Sequence, residues 1–303
     1  MQRLILAVIA AALSACAAAP GPPVILASSS NPLDGTVWDV AAGQMIPAED
    51  LPQRLAAADI AVLGEIHDNQ IHHERQAWLV DALDPVGVAF EMVPEASEEG
   101  IAVFLEQGGE RDEIGPAIGW ERLGWPDWDL YRPIFAAAED ALITGGGVAR
   151  ADLRRVSGSG AAAVFGRDAD LAGLTESLPQ AEQATREADM VAAHCDRLPL
   201  EAARAMVEAQ RLRDARFAEA ALRARPAGEG TAVLITGNGH ARSDRGVPVY
   251  LARLEPEVSV LSLGQLELRP GQERFDEYAA ETPYDFVWFA PRPDRPDPCD
   301  SFQ

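Results

Sequence analysis

Short apolar runs that close on glycine or a polar residue alternate along this chain with stretches of helical spacing, and that alternation limits the fold more than any other feature. Residues 59–64 (DIAVLG), 87–92 (GVAFEM), 147–153 (GVARADL) and 231–237 (TAVLITG) are candidate strands. Two more, 248–253 and 258–263, follow near the end. Strands separated by helices indicate an α/β fold built on a mostly parallel central sheet with flanking helices. Between the first two strands, 67–83 (HDNQIHHERQAWLVDAL) opens on an Asp/Asn cap and reads as a helix. The longest helical pattern runs over 200–224. The connections across 95–145 and 165–225 are too long for simple crossovers, and parts of both are expected to build a smaller helical subdomain.

Ahead of this domain lies a segment of different character. Arg3 precedes ten apolar residues, 4–13 (LILAVIAAAL). As a helix these reach about 15 Å, short of a hydrocarbon core of roughly 30 Å, which suits a signal peptide over residues 1–15. The run enters Leu13-Ser14-Ala15-Cys16, similar to the lipobox at which bacterial lipoproteins are acylated and cleaved. Cys16 is therefore the expected lipidation site. Residues 16–35, rich in Ala, Pro and Ser, read as a flexible tether, and 36–303 as the folded domain. The expected location is the bacterial cell envelope, lipid-anchored and facing the periplasm. Ala17, where an aspartate often retains lipoproteins at the inner membrane, leans the assignment to the outer membrane.

The formal charge of -23 disfavours nucleic acid and any second, electrostatic attachment to anionic lipid. Every basic residue is Arg, so a P-loop lysine, a Schiff-base lysine and a lysine general base are all excluded. With Cys16 acylated, Cys195 and Cys299 remain as an even pair in an oxidising compartment. A disulfide between them would pin the Pro-rich tail to the body; free thiols are the equal alternative. Their spacing fits neither a Cys-rich zinc site nor a CxxCH haem attachment.

In a parallel α/β sheet, ligands bind beyond the carboxyl ends of the strands. Here those ends carry Glu65 and His67, then Glu91, then His240. Two carboxylates and two imidazoles on one rim are candidates for catalysis or for holding a divalent metal. Each alone has an ordinary structural reading, as a helix cap or a satisfied core histidine. His72 and His73 follow on the next helix. Ala77 stands four residues after His73, so HExxH is absent, and one of the two histidines is expected to line the pocket. The SGSG at 157–160 lacks the first glycine of G-x-S-x-G and reads as a loop.

LGEIHDNQIHHERQ, FEM, WPDWDLYRP at 125–133, AQRLRD at 209–214, ITGNGHARSDRGVPVYL and the ending YDFVWFAPR…DPC together resemble the ChaN family of haem-binding lipoproteins. The resemblance spans nearly the whole domain, in order. Phe217 departs from the family's methionine, a change expected to affect packing. The family belongs with Tiki-type proteins and erythromycin esterases, whose enzymes use paired GxxH motifs and a glutamate. On that pattern the motifs correspond to Gly64…His67, Gly237…His240 and Glu91. The resemblance implies haem binding for iron uptake at the envelope.

Two functions compete. A haem carrier needs an axial ligand and an apolar slot. Tyr131, within Trp120, Trp125 and Trp128, is the first candidate and His194 the second, with His72 a further pocket residue. The aromatic cluster is equally a core patch, and His194 equally a surface residue beside a cysteine. A haem face also needs water excluded from one side, which a homodimer could supply. The alternative is a hydrolase using Glu65, His67, Glu91 and His240, with a divalent metal activating water or with a His as general base.

Overall fold

The computed structural model describes residues 29–226, 230–297 and 299–300, together with Gly21. Cys16 and the proposed signal peptide lie outside the described residues. The chain enters through a short antiparallel pair, β1 (Val37–Asp39) and β2 (Gln44–Ile46), and helix α1 (Leu51–Leu55). β3 (Ile60–Glu65) leads into α2 (Gln70–Leu83), and β4 (Gly87–Pro94) into α3 (Glu98–Glu106), α4 (Ile114–Ile118) and α5 (Trp128–Ala137). β5 (Leu142–Gly147) is followed by α6 (Arg150–Phe165), α7 (Gln180–Ala193) and α8 (Leu200–Arg223). Then come β6 (Ala232–Gly237), α9 (Asn238–Ala241), α10 (Val247–Leu254), β7 (Val260–Glu267) and β8 (Phe286–Ala290).

The eight strands form one sheet in the order β2-β1-β8-β7-β3-β6-β4-β5. Every pairing from β8 to β5 is parallel, and only β1 pairs antiparallel, with β2 and β8. Ile60 to Leu63 and Ala232 to Ile235 are buried on both faces, which is why these strands read as continuous apolar runs and not as alternations. One core lies between the sheet and α1, α2 and α5, the other between the sheet and α6, α8 and α10. The long connections thus cover both faces, with α3–α5 from one and α6–α8 from the other.

Helix α2 starts where its cap predicts: the Asn69 side chain accepts from the Ile71 N–H at 3.1 Å. Two strand assignments shift. Residues 147–153 are the end of β5 and the start of α6, and the strand itself is LITGGG. Its glycines hide it from a hydrophobicity reading and exist for close approach. A Cβ on Gly146 would stand 2.7 Å from Phe217 Cδ1 on α8, and one on Gly145 2.5 Å from the Val93 carbonyl. Residues 248–253 are helical instead of extended, within α10. Pro248 sits in its first turn, where the missing N–H costs nothing, and Val247, Tyr250 and Leu251 form one buried stripe. Among the described residues no helix is long and apolar enough to cross a membrane.

Cys195 and Cys299 are joined by a disulfide, with Cα atoms 5.6 Å apart. The tail before Cys299 is held to the rim as well. Arg295 pairs with Asp68 and Glu267 at 2.6 Å each, and Asn69 donates to the Pro291 carbonyl at 3.1 Å.

Candidate functional site

β3 and β6 are neighbours, with Glu65 opposite Gly237 in register, so the two GxxH segments turn off the sheet side by side. Glu91 comes to them from β4, the other neighbour of β6. Glu65, His67, Glu91 and His240 are therefore brought together, as the strand ends suggest.

Each imidazole is backed by a carboxylate. His67 Nδ1 lies 2.8 Å from Glu65 Oε1, and His240 Nδ1 lies 2.6 Å from Asp214 Oδ1 on α8. Glu91 stands between them. Its Oε2 accepts from the Gly237 N–H at 2.8 Å and the Thr236 hydroxyl at 2.7 Å, while Oε1 faces His240 Nε2 at 3.7 Å. Burial would raise the Glu91 carboxyl, but His240, His67 and the two donors outweigh it and hold the group below its ordinary 4.5. Burial works against charge on His67 too, yet Glu65, with Glu91 and Asp68, lifts it to about 9. For His240 the same opposition is won by Glu91 and Asp214, and its value is raised. His67 thus holds its proton at neutral pH, and His240 is shifted in the same direction, with Glu91 between them.

Glu65 is the hub of the first pair and is fully buried. Tyr131 donates its hydroxyl to Glu65 Oε1 at 2.9 Å. His73 donates Nε2–H to the His67 carbonyl at 3.0 Å, because a carbonyl can only accept. Its Nδ1 lies 3.2 Å from Glu65 Oε2, outside hydrogen-bond geometry. Against that network, Tyr131 does not present an oxygen to a ligand. The side chain is wholly buried, and desolvation, reinforced by Glu65, pushes its phenol far above the ordinary 10. His72 also lies away from the rim. Its Nδ1 accepts from the Ile66 N–H at 2.9 Å, and burial, with Arg75 and His73 nearby, holds it neutral, well below 6.5. It braces the turn between β3 and α2.

Sequence reasoning missed Asp214. The available signal is an acid inside the apolar stripe of α8, between Leu212, Ala215 and Ala218, all buried. Phe217, expected only to alter packing, stacks edge-on to the His240 ring at 4.8 Å and so belongs to the site's wall. Trp125 flanks His67 at 5.0 Å. Beyond His240 a cavity of about 70 Å³ opens between α7 and α8, lined in part by Met190, Val207, Gln210 and Asp214.

The donor set decides which groups the site can hold. Among the described residues no group of three or more His, Cys, Asp and Glu side chains is arranged for a metal ion. Both Nδ1 atoms and Glu91 Oε2 are engaged by protein partners, and the unbonded Nε2 and Oε1 atoms form no such group. The divalent-metal reading of Glu65, His67, Glu91 and His240 has no geometric support. For haem, all four tyrosines are buried, as are His72, His73 and His240. His67 and His194 are the more accessible imidazoles. His194 ends α7 and donates Nδ1–H to the Met190 carbonyl at 2.8 Å, which leaves a lone pair on Nε2. Of the two ligand candidates, Tyr131 is committed to Glu65, whereas His194 is partly exposed with its Nδ1 alone engaged.

A parallel sheet with a charged, partly enclosed rim at its carboxyl edge defines an α/β ligand-handling domain. The chain belongs to the haem-binding uptake family of the Tiki superfamily, ChaN, whose model matches residues 51–251. Its fold is similar to that of a Campylobacter jejuni structure described as cofacial heme binding to ChaN. The TM-score is 0.65 at 17% identity, covering 84% of this chain and 95% of that one. The type III effector HopBA1 matches at TM-score 0.45 and 13% identity (82% and 94% covered). An erythromycin esterase, EreC, matches at 0.38 and 13% (89% and 86% covered). No curated protein matches the sequence.

Proposed function

We propose that this protein is an envelope lipoprotein, acylated at Cys16, that binds haem for iron uptake. The observation that carries the reading is family membership over residues 51–251, joined to a fold shared with a protein whose structure is described as binding haem cofacially. His194 is the proposed axial ligand: its Nδ1–H is fixed by the Met190 carbonyl and its Nε2 is free to bind iron. His67 is disfavoured at neutral pH because, protonated, it has no lone pair to give. Trp125 beside His67 supplies apolar wall. The bound iron would bring redox and ligand-binding chemistry of its own, and the protein's part is to hold and shield the macrocycle. A second subunit covering the exposed haem face would complete that shield. The test is a hemin titration of the purified protein, following the Soret band and the mass in solution. Saturable binding with a histidine-type spectrum, a shift to dimer mass and loss in His194→Ala are expected. No saturable binding by the wild type would overturn the reading. A Cys16→Ser variant that still takes up a palmitate label would overturn the anchor.

The paired imidazole–carboxylate geometry favours a second reading, hydrolysis without a metal. Asp214 orients His240, whose Nε2 faces Glu91, an arrangement suited to general acid–base work. Turnover of a panel of esters that vanishes in His240→Gln would support it, and no turnover of any ester would remove it.

A further inference from the structure

Arg213 is a cation beside the rim that pairs with no carboxylate among the described residues. It precedes Asp214 on α8 and is only partly exposed. Its one hydrogen bond runs from Nη1 to Gln210 Oε1 at 2.6 Å. The arginines nearby are matched: Arg186 with Glu182, Arg245 with Asp189, Arg242 with Asp244. Glu91 and Asp214 attract Arg213 without bonding it, and its charge in turn bears on His240. A guanidinium offers five N–H groups in a planar fork shaped for an oxyanion, and here one is used. Burying such a group without a bonded counter-ion is unfavourable, and desolvation lowers its hold on its proton. An incoming anion would supply the missing partner. Gln210, which orients the fork, also lines the cavity next to His240, so the fork and the cavity share a wall.

We propose that Arg213, oriented by Gln210, is the oxyanion-binding subsite of the rim and takes a carboxylate or phosphate group of the ligand in a bidentate grip. Where the ligand is haem, the group is a propionate; that step rests on the haem reading, and the subsite itself does not. On the haem reading, His194 would address the iron and Arg213 the acidic edge.

Two measurements test this separately. The first titrates the purified protein with sodium propionate and, in parallel, inorganic phosphate, following the imidazole proton resonances by NMR. A saturable shift of the His240 signal is expected with at least one anion, absent in Arg213→Gln and partly kept in Arg213→Lys. Whichever anion acts identifies the group recognised. No saturable shift in the wild type, or an equal shift in Arg213→Gln when both melt at the same temperature, would overturn the subsite. The second compares hemin with its dimethyl ester. Wild type should bind hemin at least about tenfold more tightly than the ester, the minimum expected when a charge-assisted grip is lost, and Arg213→Gln should bind the two alike. A preserved preference for hemin in that variant would overturn the propionate assignment. Binding of neither compound, with the anion shift intact, would remove the haem reading and leave the subsite standing.

Discussion

Gly237 lies directly beneath the ring of His67: a Cβ built on it would stand 3.1 Å from Nε2 and 3.3 Å from Cε1. The backbone there has φ -65° and ψ 150°, which alanine adopts without strain. Glycine is needed for the ring above it and not for the turn. Gly237→Ala should therefore leave stability unchanged or raise it by about 0.4–1 kcal/mol through the unfolded chain. It should at the same time tilt His67 away from Glu91. A thermal melt combined with the His67 NMR titration checks both halves; a large drop in melting temperature would contradict the geometry.

The proton on His67 depends on Glu65. With the His67 value raised to about 9, its contribution to stability is fully present below the ordinary 6.5 and fades as pH rises through about 9. Glu91 acts in the opposite sense: its contribution is present above 4.5 and is lost as pH falls through its lowered native value. Glu65→Gln keeps an acceptor for Tyr131 but removes the charge, leaving burial to dominate. The His67 value should then fall toward or below 6.5 in an NMR titration. In denaturant melts, the wild type should exceed His67→Ala by more at pH 6 than at pH 10.

The legibility of the site follows from which interactions are local in sequence. Glu65, His67, Glu91 and His240 announce themselves because strand ends can be located from apolar runs, and parallel pairing then brings the ends together. Asp214 does not, since it reaches His240 from a helix 26 residues away. Tyr131 misleads for a related reason. Its aromatic neighbours suggest an apolar slot or a core patch, but the tertiary partner that fixes its hydroxyl, Glu65, is 66 residues away. In the fold, β5 is concealed by glycines whose purpose is the contact with Phe217 and Val93. β8, the run FVWFA, becomes a strand only by pairing with β7 and β1.

Tyr131 is an inner donor, and its removal should say so. Tyr131→Phe deletes one hydrogen bond to a buried carboxylate while keeping the ring against Trp120 and His73. A loss of about 1.5–3 kcal/mol in urea unfolding is expected. The Soret maximum and hemin affinity should be unchanged. A variant that folds with wild-type stability yet loses the ferric spectrum would restore Tyr131 as the iron ligand.

The bond between Cys195 and Cys299 closes a loop with a sequence separation of 104 that contains α8, β6, β7 and β8. Constraining so long a loop removes unfolded-state entropy equivalent to about 4.7 kcal/mol in the chain model, and native disulfides commonly contribute about 2–4. In the folded protein the tail has other holds, the Arg295 pairs with Asp68 and Glu267 and the Asn69 bond to Pro291. Reduction, or Cys299→Ala, should therefore act mainly on the unfolded chain. The urea midpoint should fall by an amount matching about 2–4 kcal/mol, while hemin affinity measured without denaturant stays at the wild-type value. A midpoint that does not move would show that the bond adds no constraint. A lost affinity at unchanged stability would place the tail, and not the fold as a whole, under the bond's control.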